Sequence, residues 1–283
     1  MQYIAIHKPI NVVSSTDSQN TASKNKLMAS RRSIYELLKE GGYPHMGLVG
    51  RLDAMTSGVM LFTNDSKMQR LLLTPEEQEE DDKERNHLGL GSRKRKAPEL
   101  DADEGRQGTE KAQEKEQGED EEKGEERGAG KEYKVKEYIL TVLGGPQRKW
   151  GTNWCDEARA ALIEEMTAPL EFSNKGIKYY AKSAEVSILS RYRSEKHSHG
   201  GKGPVGADLG WVCSLKVVLR EGKHHQIRRL AARSKLLVIS LVRHTFAGGL
   251  LSLDDPTLKE PGSMRPLTEG EVAQLRKITG QSE

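Results

Sequence analysis

The chain has 283 residues, of which 31% are charged and only 5% are aromatic, so part of it is not expected to form a core. No apolar run is long enough to span a membrane, and the N-terminus lacks the pattern of a signal peptide. The two cysteines, Cys155 and Cys213, lie far apart, and the histidines have no obvious ligand partners. This usage suggests a reducing compartment and no metal site.

Charge is distributed unevenly along the chain. Residues 76–131 hold 20 acidic and 12 basic side chains, a net charge of −8, so the other residues carry +11 of the total of +3. The 76–131 tract has no Phe, Trp or Tyr and few apolar residues, which predicts a disordered insertion. The basic remainder favours a polyanionic partner, most often nucleic acid. Inside the tract, Arg93-Lys94-Arg95-Lys96 fits either a nuclear import signal or a chance basic patch.

Hydrophobic periodicity and capping residues predict the elements in chain order. Strands are predicted over 3–7, on both sides of the polar loop that starts at Gly50, and over 133–143, 184–189, 211–219 and 236–246. Helices are predicted to begin at Ser33, to be capped by Ser66 and Thr268, and to begin near Asp156 and Gln226. Short, hairpin-like spacings dominate over a βαβ alternation, so we predict an α+β fold with a mixed, mostly antiparallel sheet flanked by helices. Residues 1–75 and 132–283 are expected to form one domain around the 76–131 insertion.

Three stretches could carry chemistry. Asp53 lies in a short polar loop between two apolar strands, a position from which a carboxylate can act as nucleophile or base. Tyr138 offers a flat face and a hydroxyl from a strand, and basic residues at the start of a helix, as in Gln226-Ile227-Arg228-Arg229, bind phosphate. Taken singly, each has an ordinary explanation: a turn, a core tyrosine and a solvated or salt-bridged arginine pair. No nucleotide-binding glycine motif occurs, so no nucleotide cofactor is indicated.

In this order, the stretches resemble the pseudouridine synthases of the bacterial ribosomal type. The resemblance covers residues 1–75 and 132–279. It rests on these blocks: His7-Lys8-Pro9, Gly50-Arg51-Leu52-Asp53 with Thr56-Ser57-Gly58, Lys136-Glu137-Tyr138, the stretch from Glu221 to Arg229, and Gly262 to Thr268.

The resemblance implies an enzyme that isomerises uridine in RNA, most often ribosomal RNA, without metal or organic cofactor. It implies that Asp53 is the catalytic carboxylate, that Arg228 pairs with it and that Tyr138 stacks on the flipped uracil and handles a proton. Arg51 would enter the gap left by the flipped nucleotide. Whether Asp53 attacks covalently or removes a ribose proton to give a glycal stays open. A reaction on a base in paired RNA requires that the base be flipped out of the helix, and a basic surface can bind the RNA backbone.

Further RNA contacts are expected from basic and polar residues of the same blocks, namely Lys8, Lys223, His225, Gln226 and Arg229. Many relatives have a small N-terminal RNA-binding domain, whereas this chain begins with the catalytic strand. Recognition of the target RNA is therefore expected to depend on the basic residues outside 76–131, on the loop over 191–203 or on a partner. We expect a monomer without metal or membrane partner, and the compartment stays open between nucleus, nucleolus and organelle.

Two other functions are compatible with parts of the sequence. A non-catalytic RNA-binding or ribosome-assembly protein could have the same fold and charge, although it would not need Asp53. A glycosidase would need a second, equally well placed carboxylate, which the sequence does not offer.

Overall fold

The computed structural model describes residues 1–15, 31–73, 134–144, 156–174, 177–193 and 211–281, and these form eleven strands and five α-helices. The strands are β1 (Tyr3–Lys8), β2 (Gly47–Val49), β3 (Ser57–Thr63), β4 (Lys136–Gly144), β5 (Leu170–Asn174), β6 (Ile177–Ala181), β7 (Glu185–Arg193), β8 (Trp211–Leu219), β9 (Leu237–Phe246), β10 (Leu251–Ser252) and β11 (Met264–Pro266). The helices are α1 (Ile34–Glu40), α2 (Ser66–Leu72), α3 (Asp156–Thr167), α4 (Gln226–Arg233) and α5 (Glu269–Thr279).

Most of the strands belong to one sheet with the order β11-β1-β3-β9-β4-β8-β7, to which β2 and β10 add at β3 and β9. A separate hairpin is formed by β5 and β6. Every ladder between the described strands is antiparallel except β3 with β9, which run parallel for two residue pairs. The predicted α+β fold with a mixed, mostly antiparallel sheet is confirmed.

Burial differs between the two halves of the sheet. All six residues of β1, and Gly58 to Thr63 in β3, are buried, because separate hydrophobic clusters cover both faces. In β4, buried and half-buried residues alternate strictly. A strand with one well-covered face follows this period of two, which is why the sequence shows an apolar run in β3 and an alternation in β4.

Capping residues fix the helix ends. Ser33 caps α1 by accepting from the amide of Tyr35, and Thr268 forms a capping box with Glu271 at α5, both as predicted. The prediction for α2 was wrong by one residue: Asp65, rather than Ser66, accepts from the first free amides. Tyr3 donates to the second oxygen of Asp65 at 2.7 Å, and burial together with this carboxylate raises the pKa of Tyr3 to about 12.

The contact between the two halves of the sheet depends on a glycine. Gly58 pairs with Arg243 in the short parallel ladder and has a φ of +128°. A Cβ atom at this position would lie 2.3 Å from the carbonyl oxygen of Arg243. Only glycine therefore allows β3 to approach β9 so closely, and this approach brings the loop before β3 next to β9 and β4.

The proposed 76–131 insertion, the Arg93 to Lys96 cluster and most of the predicted basic loop after Arg193 lie outside the described residues. None of the described helices is both long and apolar enough to cross a bilayer.

Candidate active site

The loop between β2 and β3 presents Asp53 and is held by hydrogen bonds from the segment after β1 and within the loop itself. Ser14 Oγ donates to the carbonyl of Leu52 at 2.7 Å and accepts from its amide. The amide of Asn11 donates to the carbonyl of Ala54 at 2.7 Å, and a turn bond joins the amide of Thr56 to the carbonyl of Asp53. Because the backbone is fixed on both sides of Asp53, the carboxylate has a defined position.

Arg228 and His225 face this carboxylate from the segment around the start of α4. Arg228 Nε lies 3.7 Å from Asp53 Oδ2, and His225 Nε2 lies 3.3 Å from Oδ1. Arg228 also donates through Nη2 to the carbonyl of Met55 at 2.8 Å and to Thr56 Oγ1 at 3.2 Å. The guanidinium therefore binds both the carboxylate and the backbone that carries it.

Lys8 does not lie where an RNA contact would require. Its side chain is fully buried, and Nζ donates to the carbonyls of Pro9 at 2.7 Å and Thr56 at 2.8 Å. Burial lowers the pKa of Lys8 to about 7, while the charge of Asp53 opposes this shift. The structure thus corrects the expected RNA contact: Lys8 supports the Asp53 loop from beneath, because its donors are used by backbone carbonyls.

Gln226 is also internal, with 3% of its surface exposed. Its amide nitrogen donates to Glu221 Oε1 at 2.8 Å, and the same carboxylate oxygen accepts from the amide of Lys182 at 2.7 Å. Its amide oxygen accepts from the amide of Lys223. Gln226 therefore holds the 221–225 turn in shape, and its expected contact to RNA stays a prediction.

Arg229 points away from Asp53 towards the β5–β6 hairpin. Its guanidinium lies 4.1 Å above the ring of Phe172, which stacks in turn on Tyr179 at 5.3 Å between ring centroids. Its Nε donates to the carbonyl of His224 at 3.2 Å. Arg229 thus ties α4 to the hairpin by a cation–π contact, and it is not among the residues that line the cleft described next.

A cleft of about 300 Å³ opens beside Asp53. It brings together most of the side chains singled out in the sequence, although they come from distant parts of the chain. The predicted residues along it are Arg51, Asp53, Tyr138, Lys223, His225, Gln226 and Arg228. Arg51 is exposed at this cleft, whereas Tyr138 is 8% exposed, so the two side chains offer a solvent-facing cation and a mostly buried ring.

Arg243 lines the same cleft and was missed in the sequence. It is 1% exposed and pairs across the sheet with Tyr138, and its Nε donates to the carbonyl of Val59 at 2.8 Å. Its Nη2 has no hydrogen-bond partner among the described residues. A sequence signal existed, because Arg243 occupies the same strand phase as the buried Leu241, and a charge at a core position is unusual.

Within the described residues, no group of three or more His, Cys, Asp and Glu side chains could hold a metal ion. Among the described residues, the lining of the cleft instead combines the Asp53 carboxylate with several cations and two tyrosines, Tyr35 and Tyr138. Such a site can orient a carboxylate towards an electrophilic carbon or an acidic hydrogen and can attract a polyanion.

Comparisons with known proteins identify the family and the fold of the chain. The model of the RNA pseudouridylate synthase family matches residues 2–233, so the chain belongs to that family, whose members are RNA isomerases. A search of curated protein sequences gives no significant match.

One solved structure shows the same fold, and two further structures are weaker matches. A crystal structure of a pseudouridylate synthase is 19% identical, with a TM-score of 0.51, and the match covers 97% of this chain and 73% of that chain. A Cbf5-Nop10-Gar1 complex matches with 10% identity and a TM-score of 0.42, over 87% of this chain and 48% of that one. An H/ACA RNP bound to a substrate RNA containing 2'-deoxyuridine matches with 11% identity and a TM-score of 0.39, over 91% and 50%.

Proposed function

We propose that this chain, acting as a monomer, converts uridine to pseudouridine in structured RNA, and that the RNA is ribosomal. The observation that carries the proposal is the cleft in which Asp53, paired with Arg228, lies together with Tyr138 in a chain of this family. The choice of ribosomal RNA rests on the resemblance of the sequence blocks to the synthases that act on ribosomes.

The proposed reaction is an isomerisation, so every atom of the substrate is kept. The bond between N1 of uracil and C1' of ribose breaks, the uracil turns, and C5 forms a new bond to C1'. The hydrogen leaves C5, and N1 gains one. Asp53 would either attack C1' and leave again as C5 bonds to C1', or remove the hydrogen at C2' to give a glycal and return it to C2' when C5 has bonded. Tyr138 would stack on the uracil and handle a proton. The balance requires no oxidant, reductant or co-reactant.

The cleft can receive a uridine only if the nucleotide leaves its stack, because the reacting bond is not accessible in a helix. Arg51, exposed at the cleft, is proposed to fill the gap that the flipped nucleotide leaves. The charge of +11 outside the 76–131 tract supports attraction of the RNA backbone.

The test is a transcript-wide map of pseudouridine in cells that carry wild-type protein, no protein or the Asp53→Ala variant, with RNA taken separately from each compartment. We expect at least one ribosomal uridine to lose its modification both in the deletion strain and with Asp53→Ala. The loss should exceed about a hundredfold, since the carboxylate would take part in the bond rearrangement itself.

Asp254→Ala is the matched control, because Asp254 is an exposed carboxylate outside the cleft, and it should restore the modification. Purified wild-type protein should then modify a transcript that contains the mapped uridine. If the protein binds RNA but no uridine is ever modified, the chain is a non-catalytic RNA-binding protein on this fold, and the proposal is wrong.

A further inference from the structure

A histidine contacts the same carboxylate as Arg228, but from the other side. His225 Nε2 lies 3.3 Å from Asp53 Oδ1, while Arg228 Nε lies 3.7 Å from Oδ2, so both oxygens have a partner. We propose that His225 is a positioning residue that orients Asp53 before the nucleotide enters, rather than a contact to the RNA. This role rests on the function proposed above.

The backbone of His225 shows that its position is imposed by the surrounding turn. The residue precedes α4 with φ 55° and ψ 25°, in the left-handed region, and its side chain makes no capping bond to the helix. This conformation is unfavourable for a residue other than glycine. The turn is kept in place by the bond from buried Gln226 to Glu221. Strain that is held by a buried contact and that directs a side chain at a carboxylate is typical of a functional position.

The ring of His225 is oriented but not enclosed. It stacks on the ring of His224 with 3.8 Å between centroids and 19° between planes, and 43% of its side chain is exposed. Arg228, in contrast, is anchored to the Asp53 loop by Met55 and Thr56. The imidazole can donate from Nε2 to Asp53 either as the neutral tautomer with its hydrogen there or as the cation. Arg228 is therefore a fixed partner of Asp53, whereas the exposed His225 side chain can move away from it.

This difference predicts which kinetic constant depends on His225. Holding both oxygens sets the plane of the carboxylate before the uridine arrives, which reduces the reorganisation needed in the reaction. Loss of this contact should lower kcat and leave KM for RNA nearly unchanged. A residue that only bound the RNA would show the opposite, with a higher KM and an unchanged kcat.

Two substitutions test whether the contact with Asp53 matters, or only the presence of a polar side chain at position 225. In His225→Gln, the amide nitrogen takes the place of Nε2 and can still reach Asp53. In His225→Asn, the shorter amide tolerates the left-handed backbone but takes the place of Nδ1 and cannot reach. We expect His225→Asn to lower kcat about tenfold, and His225→Gln to stay within about threefold of wild type.

His244→Asn is the matched control, because His244 Nε2 lies 3.2 Å from Asp254 Oδ2 outside the cleft, and it should leave kcat unchanged. The readout is pseudouridine formation on the transcript mapped above. A rise in KM at constant kcat in His225→Asn, or equal losses in the Asn and Gln variants, would overturn the proposal.

A second measurement needs no RNA and no activity. In nitrogen-15 spectra of the full chain, the imidazole signal of His225 is assigned by its absence in His225→Gln. Asp53→Asn should shift this signal. Asp254→Asn should shift only the signal of His244. An unmoved His225 signal in Asp53→Asn overturns the pairing. If the signal moves but wild-type protein never forms pseudouridine, the pairing is supported, and it is the proposed function that has failed.

Discussion

At the scale of single residues, several polar side chains of the sequence blocks are buried and hydrogen-bond within the protein. Lys8 is the clearest case, because its fully buried ammonium group donates to the carbonyls of Pro9, Ala54 and Thr56. Such a charge is costly to bury, and its pKa falls to about 7 from an ordinary value of 10.5, with burial as the largest cause. The Asp53 loop is thus supported by a lysine whose buried environment disfavours its charged form.

Lys8 should make stability depend on pH above neutrality. Below about pH 7, Lys8 is protonated in both the folded and the unfolded chain, so its cost is fully present and constant. Between about pH 7 and 10.5, the unfolded chain binds more protons than the folded one, so the free energy of unfolding rises with pH. In Lys8→Met this rise should shrink by more than about 1 kcal/mol, measured by urea unfolding across the window.

Lys39→Met, which alters an exposed lysine in α1, should keep the pH dependence of the wild type. An identical pH dependence in Lys8→Met and wild type would show that the Lys8 charge does not titrate within this window.

At the scale of elements, the site exists because β3 and β9 meet. The two strands pair at only two positions, Ser57 with Val242 and Gly58 with Arg243, yet this pairing joins the half of the sheet that carries Asp53 to the half that carries Tyr138. A short parallel ladder contributes few hydrogen bonds, so the close approach at Gly58 is important for its stability.

Gly58→Ala should therefore damage the fold as well as the site. The new methyl group would meet backbone atoms of Arg243, and alanine disfavours the φ of +128°. We expect the free energy of unfolding to fall by about 3 kcal/mol or more. The control is Gly42→Ala, where φ is +87° but the added Cβ would have no described atom within 4 Å apart from those of its chain neighbours. The free energy of unfolding should fall there by only about 1 kcal/mol. Denaturant unfolding compares the two, and equal losses would contradict the steric argument.

At the scale of the whole molecule, the chain combines a basic body with an acidic tract. The tract lies in the chain between α2 and β4. We propose that residues 76–131 are an insertion that the fold does not require, because lengthening a connection adds little closure entropy.

Replacing residues 76–131 with a short Gly/Ser linker should change the free energy of unfolding by less than about 1 kcal/mol. Removal of a net charge of −8 should also strengthen binding of a labelled RNA hairpin at low salt. A variant with a neutral Gly/Ser segment of the original length separates charge from length, and it should bind RNA as tightly as the deletion. Loss of soluble, folded protein in the deletion would refute the insertion.

The sequence by itself determined the local elements, the fold class and the family, because periodicity, capping residues and ordered blocks are local properties. It placed Asp53 in a loop between strands and Arg228 at a helix start, and both roles in catalysis stay predictions. Only the tertiary structure decided which polar groups are covered: Lys8 and Gln226 are internal, and Arg243 lies along the cleft. The contact of His225 with Asp53 could also be found only in the tertiary structure, because a sequence pattern does not show which distant residues come close together on folding.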